Sequence, residues 1–321
     1  MKHLPANDPR FPVIDERRAF VSAASAVSRL DEAIRRSPEL SELHRATELR
    51  REAIAIVAIE GAAVRPESII RILSDPDATM LDRGARSALD AHNGLALSTA
   101  WQDEVNANRI EILFKASDAS TARLYRPDTA WSLEDDCAAA ADECARVAET
   151  PEPWTAIEAV RRIWTSGRFF GRARRMALTM APWLISKGFH CSVRPLGIAD
   201  RVRRQTDRFR EAEHDPEAWS ILLATTLREA ADDGLNNLGR LEGLLTSLHL
   251  LCPAMRSSSS VDDAIKLFIE SPINSAKRVS DHLDLSPRGT KVVLDKLIAA
   301  GVIEVEGGAR NRKFVCRRAM V

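Results

Sequence analysis

Arg161, Arg162, Arg168, Arg172, Arg174 and Arg175 fall within fifteen residues, and no Asp or Glu interrupts them. Guanidinium groups hold phosphates and carboxylates through paired N–H donors, so the chemistry this run suits is anion recognition. What the run lacks is a proton acceptor: no histidine stands between Pro151 and Phe189. A general base must take up a proton near neutral pH, and neither arginine nor an indole N–H does so. A second basic set gathers near the C-terminus in Lys277, Arg278, Arg288, Lys291, Arg310, Arg312 and Lys313, with Arg317 and Arg318 just beyond. From Arg256 to Val321 there are 12 Lys and Arg against 8 Asp and Glu, a local excess of four in a chain whose formal net charge is zero. Such an excess suits phosphate contact.

The elements that carry this second set read as a winged helix-turn-helix over residues 261–315. Ile265, Phe268 and Ile269 share one helical face, and Ser271-Pro272 ends that helix because proline lacks the amide. Asn274 or Ser275 can cap a second helix with the stripe Ala276, Val279, Leu283. After the turn Asp284-Leu285, Ser286 as N-cap and Pro287 in the first turn start a third helix. It is expected to turn Val292, Val293, Leu297 and Ile298 inward and to close at Gly301. Val302–Val305 and Lys313–Cys316, apolar runs on either side of Gly307-Gly308, read as a small hairpin, the wing. In this arrangement Arg288, Thr290 and Lys291 would meet base edges in the major groove, and Lys277, Arg278, Arg310, Arg312 and Lys313 would hold phosphates. Protein contact or dimerisation is the other use of such a module.

Upstream the pattern is helix after helix. Pro12–Arg36, Pro38–Ile59, Glu67–Leu73, Leu81–Trp101, Leu133–Glu149, Trp154–Trp164, Arg172–Ser186, Ala199–Ala212 and Pro216–Leu250 are expected helices. Asp75-Pro76-Asp77 reads as a turn, and 110–127 as the least regular stretch, a hairpin or exposed loop. Six tryptophans in apolar helical context read as core. No apolar run is long enough to span a bilayer, and the N-terminus lacks the apolar stretch of a secretory signal. The five cysteines are odd in number and show no CxxC pairing, which points to reduced thiols in a cytoplasmic protein without a metal site. The expected organisation is N-terminal helices over 1–80, a helical core over 81–252, a Ser-rich linker over 253–260 and the winged helix over 261–321.

Two upstream segments resemble Fic-domain proteins, in the arrangement where an inhibitory helix precedes the Fic core and a winged helix follows it. Arg50–Gly61 is similar to the family's inhibitory motif, with Glu60-Gly61 as its Glu-Gly pair and Ile56 where the motif has Ser or Thr. Trp154–Phe189 looks like the core helix, motif loop and following helix. The resemblance implies a mostly α fold, a Fic-like helical domain followed by the winged helix-turn-helix. It also implies adenylyl transfer from ATP through a motif His-x-Phe-x-Asp/Glu-Gly-Asn-x-Arg-x-x-Arg. Aligned on Gly171-Arg172-Ala173-Arg174-Arg175, the motif keeps Arg172 and Arg175 but has Trp164 for the histidine and Arg168 for the metal-binding acid. Phe169-Phe170 then replace Gly-Asn. A second register puts Val160 at the histidine, and neither supplies a base.

The chain is therefore expected not to be an adenylyltransferase and to need no cofactor. Arg168, Gly171, Arg172 and Arg175 form a candidate anion pocket for a nucleotide or phosphorylated small molecule. By the family's logic Glu60 would pair with Arg175, either across that pocket or as a plain clamp between helices. Trp164, Phe169 and Phe170 packed into the pocket would count against anion binding. The function these expectations combine into is a DNA-binding transcriptional regulator, acting as a homodimer, with the Fic-like domain as sensor or scaffold. The alternatives are an active nucleotidyltransferase with an unrecognised base, or a non-catalytic protein-interaction module.

Overall fold

A computed structural model describes residues 14–74, 83–102, 104–124, 132–194, 196–252, 259–308 and 312–320. They are mostly α-helical, as the periodicity implies. The helices are α1 (Ile14–Arg36), α2 (Pro38–Ile59), α3 (Pro66–Ser74), α4 (Arg83–Ala100), α5 (Ala107–Ser117) and α6 (Ala119–Ala122). There follow α7 (Leu133–Glu149), α8 (Pro153–Thr165), α9 (Ala173–Gly188), α10 (Ile198–Arg204), α11 (Thr206–Ala212) and α12 (Pro216–Leu251). The C-terminal stretch holds α13 (Ser259–Glu270), β1 (Ile273–Asn274), α14 (Ala276–Leu283), α15 (Pro287–Ala299), β2 (Glu304–Glu306) and β3 (Lys313–Val315). The expected turn at Asp75-Pro76-Asp77, most of the Ser-rich linker, Trp131 and Arg310 lie outside the described residues.

Proline marks the starts. Pro38, Pro153 and Pro287 each stand in the first turn of a helix, where the missing amide costs nothing. At α15 the Ser286 hydroxyl also accepts from the Gly289 amide at 3.2 Å. Three expectations fail. Residues 107–117 are helical, with Ile110, Leu113 and Phe114 buried and Asn106 capping the Arg109 amide at 3.0 Å. The expected helix 199–212 is broken at Gln205, whose φ of −127° and ψ of 24° leave the helical region and separate α10 from α11. Ser259 and Ser260, assigned to the linker, open α13.

Contacts divide the chain into two compact units, residues 1–33 with 90–234 and residues 34–89 with 235–321. This cuts across the segments expected from the sequence, because α2 and α3 group with the C-terminal elements. In the first unit α8 and α9 pack closely where Gly188 leaves room. A Cβ there would lie 2.4 Å from the Ala156 Cβ and 2.8 Å from the Glu152 carbonyl oxygen. Trp183 is buried in α9 and Trp164 in α8, whereas Trp154 is 43% exposed, so not every tryptophan is core. Arg201 makes a two-point contact with Asp233 at 2.7 and 2.6 Å, tying α10 to α12.

In the second unit β1, β3 and β2 form an antiparallel sheet in that order, with Ile273 opposite Val315 and Val305 opposite Phe314. Ile265, Phe268 and Ile269 of α13 are buried as expected. Along α15 the buried face is Thr290, Val293, Leu294 and Leu297. Val292 and Ile298, expected inward, are 47% and 37% exposed because 3.6 residues per turn carries them off that face. Three arginines hold α2 and α3 to the C-terminal elements. Arg50 donates to the Glu270 carbonyl at the end of α13, Arg278 to the Leu73 carbonyl at the end of α3, and Arg71 pairs with Glu306 at 3.1 Å. Burial pulls the Arg50 guanidinium down to about 10, against the opposing pull of Glu270 and Glu48.

Candidate functional site

The arginine-rich stretch runs from the end of α8 through a short loop into α9. The loop backbone is unusual: Gly167, Phe169, Phe170 and Gly171 all have positive φ, at 68°, 57°, 48° and 77°. Glycine adopts this left-handed region at no cost and asparagine at little, whereas a bulky side chain costs on the order of 1 kcal/mol there. Phe169 and Phe170 thus take the backbone conformation that suits Gly-Asn, at the positions where the aligned motif has Gly-Asn.

Two buried aspartates hold this loop. Asp136 of α7 accepts from the Phe169 amide at 2.8 Å and from Arg168 at 3.1 Å. Asp118, between α5 and α6, lies 3.0 Å from Arg172 and 3.8 Å from Arg175. Its oxygens also accept from the Thr121 amide at 3.0 Å and from the Ser120 and Thr121 hydroxyls at 2.8 and 2.9 Å. Burial pushes the Asp118 carboxyl up. The Thr121 amide, the Arg175 charge and the two hydroxyls together outweigh it and hold the group below the usual carboxylate range. Arg175 is 2% exposed and donates to the Ser117 carbonyl at 2.7 Å. Within its own unit the carboxylate beside Arg175 is Asp118, and Glu60 closes α2 in the second unit.

The remaining arginines of the run are also paired. Arg161 binds Glu158 through two nitrogens at 2.7 Å each, Arg162 reaches Glu158 at 2.9 Å, and Arg174 meets Glu213 at 2.6 Å. Trp164 donates its indole N–H to the same Glu213 at 2.8 Å and carries Arg174 over its ring. It stacks with Phe209 and Trp219, ring centroids 5.9 and 6.2 Å away. Phe169 is buried against Phe114 at 5.1 Å. Trp164 and Phe169 therefore pack as core residues, and acids from distant helices face every arginine of the candidate pocket. The sequence reading missed Asp118, Asp136 and Glu213. Only Asp118 left a local trace, as the cap of the Ser120-Thr121 turn.

The thiols offer no nucleophile. Burial is the main cause that pushes Cys137 and Cys191 up to about 12 and raises Cys144 further still, so all three stay protonated near neutral pH.

The C-terminal elements present the opposite situation. Lys277, Arg288, Lys291 and Arg312 are exposed and have no ion-pair or hydrogen-bond partner among the described residues. Lys277, Lys291 and Arg312 rim one groove of about 700 Å³ between α14, α15 and β3, while Arg288 lies off it. Two expected contacts drop out. Thr290 is 2% exposed and spends its hydroxyl on the Ser286 carbonyl at 3.1 Å, because it sits on the buried face of α15. Arg278 is half-buried and donates to the Leu73 carbonyl. Lys313 is half-buried in β3, and Arg317 beyond it is taken by Glu304 and Glu306 at 2.9 and 2.7 Å.

No protein-family model and no curated protein matches this chain in sequence. In structure it is similar to a Fic family protein from Desulfovibrio desulfuricans G20, with a TM-score of 0.52 and 14% identity over 97% of this chain and 98% of that one. At that identity the likeness speaks for the fold: the chain has a Fic-like, mostly α architecture. Among the described residues no helix is long and apolar enough to cross a membrane.

Proposed function

We propose that the chain is a DNA-binding regulator in which the C-terminal elements contact DNA and the Fic-like helices serve as scaffold or sensor. The order helix–strand–helix–helix–strand–strand over 259–315, with β3 between β1 and β2, supports a winged helix-turn-helix. The observation that carries the reading is the pairing of charge. The four cations Lys277, Arg288, Lys291 and Arg312 form no ion pair with a protein carboxylate among the described residues, and phosphates are the counter-ions such a surface suits. Arg288 and Lys291 would read base edges from the first turns of α15. Lys277 and Arg312, and Arg310 two residues earlier in the sequence, would hold the backbone. A homodimer would match a symmetric operator.

Adenylyl transfer is not part of this reading. Magnesium needs oxygen ligands, and the aligned acid position carries Arg168, already paired to Asp136. The base position is an indole packed among aromatic rings. The residues present do not fit a magnesium–nucleotide, so no transfer step is derived for them. Passing purified protein over a genomic fragment pool at two salt concentrations, and sequencing what is retained, tests the reading. Enrichment of a few sites supports it, and retention without sequence enrichment removes it.

A further inference from the structure

The groove on the C-terminal elements carries more than a phosphate-contact surface requires. It is lined by Lys277, Lys291 and Arg312, but also by Leu294, Ile298 and Phe314. Ile298 is 37% exposed there. Val305, directly across the ladder from Phe314, is 43% exposed and extends apolar surface on the same face of the sheet. A phosphodiester strand satisfies the cations and leaves Ile298 and Val305 facing sugar and water. A molecule with an anionic head and an apolar body satisfies both. The volume of about 700 Å³ falls in the range of small-molecule sites, and apolar walls with a few placed charges are their usual composition. Asp295 is the one acid on the lining, set against three cations, so the net preference is for an anion.

We infer that this groove binds a small amphipathic anion, a carboxylate or sulfonate on an aliphatic or aryl body. Its binding takes Lys277, Lys291 and Arg312 away from DNA, so the ligand acts as a releasing effector. The release rests on the DNA-binding reading; the binding does not.

The test titrates the full chain with 8-anilinonaphthalene-1-sulfonate and with N-phenyl-1-naphthylamine, which keeps the aromatic body and lacks the anion. The sulfonate is expected to saturate one site and the neutral probe to bind at least about tenfold more weakly. Ile298→Glu, and separately Lys277→Ala with Arg312→Ala, should each weaken the sulfonate at least about tenfold. All three positions are solvent-accessible, so the fold tolerates the changes. Asp295→Asn should tighten it. Arg288→Ala, off the groove, should leave probe binding unchanged while weakening DNA. Equal binding of the neutral probe, or sulfonate binding indifferent to both groove variants, overturns the inference and leaves the DNA reading standing. Groove-dependent probe binding by a protein that retains no DNA overturns the DNA reading and the release, and leaves the site itself intact.

Discussion

The arginine-rich run of the first unit and the basic face of the second are both rich in cations, yet they are opposite electrostatic objects. Between Arg161 and Arg175 every arginine has a carboxylate within its unit, two of them on Asp118, itself almost fully buried. On the second unit Lys277, Arg288, Lys291 and Arg312 have none among the described residues. A count of arginines along a sequence thus says little about capacity for an outside anion. What decides is whether the fold has already supplied the counter-charge. A buried arginine without its carboxylate would carry a heavy desolvation cost, so Asp118 and Asp136 stabilise the loop and at the same time take up its anion-binding capacity.

The comparison can be broken at its strongest point first. Asp118→Ala removes the carboxylate beside buried Arg175 and is expected to lower unfolding free energy by about 3–5 kcal/mol, read by urea denaturation. A loss under about 1 kcal/mol would mean that the staple does not hold the loop. Next in size, Arg288→Ala with Lys291→Ala should reduce specific DNA affinity on the order of 100-fold in a fluorescence anisotropy titration. Unchanged affinity would place the reading surface elsewhere.

A smaller effect is expected from acid. The Asp118 pKa is depressed in the folded chain, so its contribution is complete above the ordinary carboxylate range. It declines as pH falls from that range through the lower folded value. Wild type should therefore lose stability in that window, and Asp118→Asn should lose less over the same interval. Parallel pH profiles of the two proteins would refute the assignment. Smallest of all, Arg162→Ala, at an exposed ion pair, should change stability by less than about 1 kcal/mol and leave DNA affinity where it was.

How much of this could be read in the residues differs by the range of the interaction. Helix starts were legible wherever a proline or a cap stood before an apolar stripe, as at Ser286-Pro287. The helix 107–117 was equally marked, by Asn106 and the stripe Ile110, Leu113, Phe114, and its assignment as irregular overlooked that pattern. The grouping of α2 and α3 with the C-terminal elements was not legible. It depends on contacts such as Arg50 with Glu270 and Arg71 with Glu306, more than 200 residues apart, which no periodicity announces. The same holds for Asp136 and Glu213, which reach the arginine run from other helices. The lack of a histidine between Pro151 and Phe189 was legible, since it is a matter of residue type alone. The neutralised state of the arginines was not, since it follows from tertiary pairing. The inward placement of Thr290 sits between these cases: its spacing from Val293 and Leu297 already put it on the buried face of α15.

The most direct test of the unequal availability of the two cation sets is the salt dependence of DNA affinity for three full-length proteins. These are the wild type, Lys277→Ala with Arg312→Ala, and Arg162→Ala with Arg168→Ala. Each phosphate contact contributes a slope of about −0.9 in log affinity against log salt. The expected result is a slope shallower by about 1 to 2 for the C-terminal variant and unchanged for the arginine-run variant. A shallower slope for the arginine-run variant, with the C-terminal variant at wild-type values, would contradict the account.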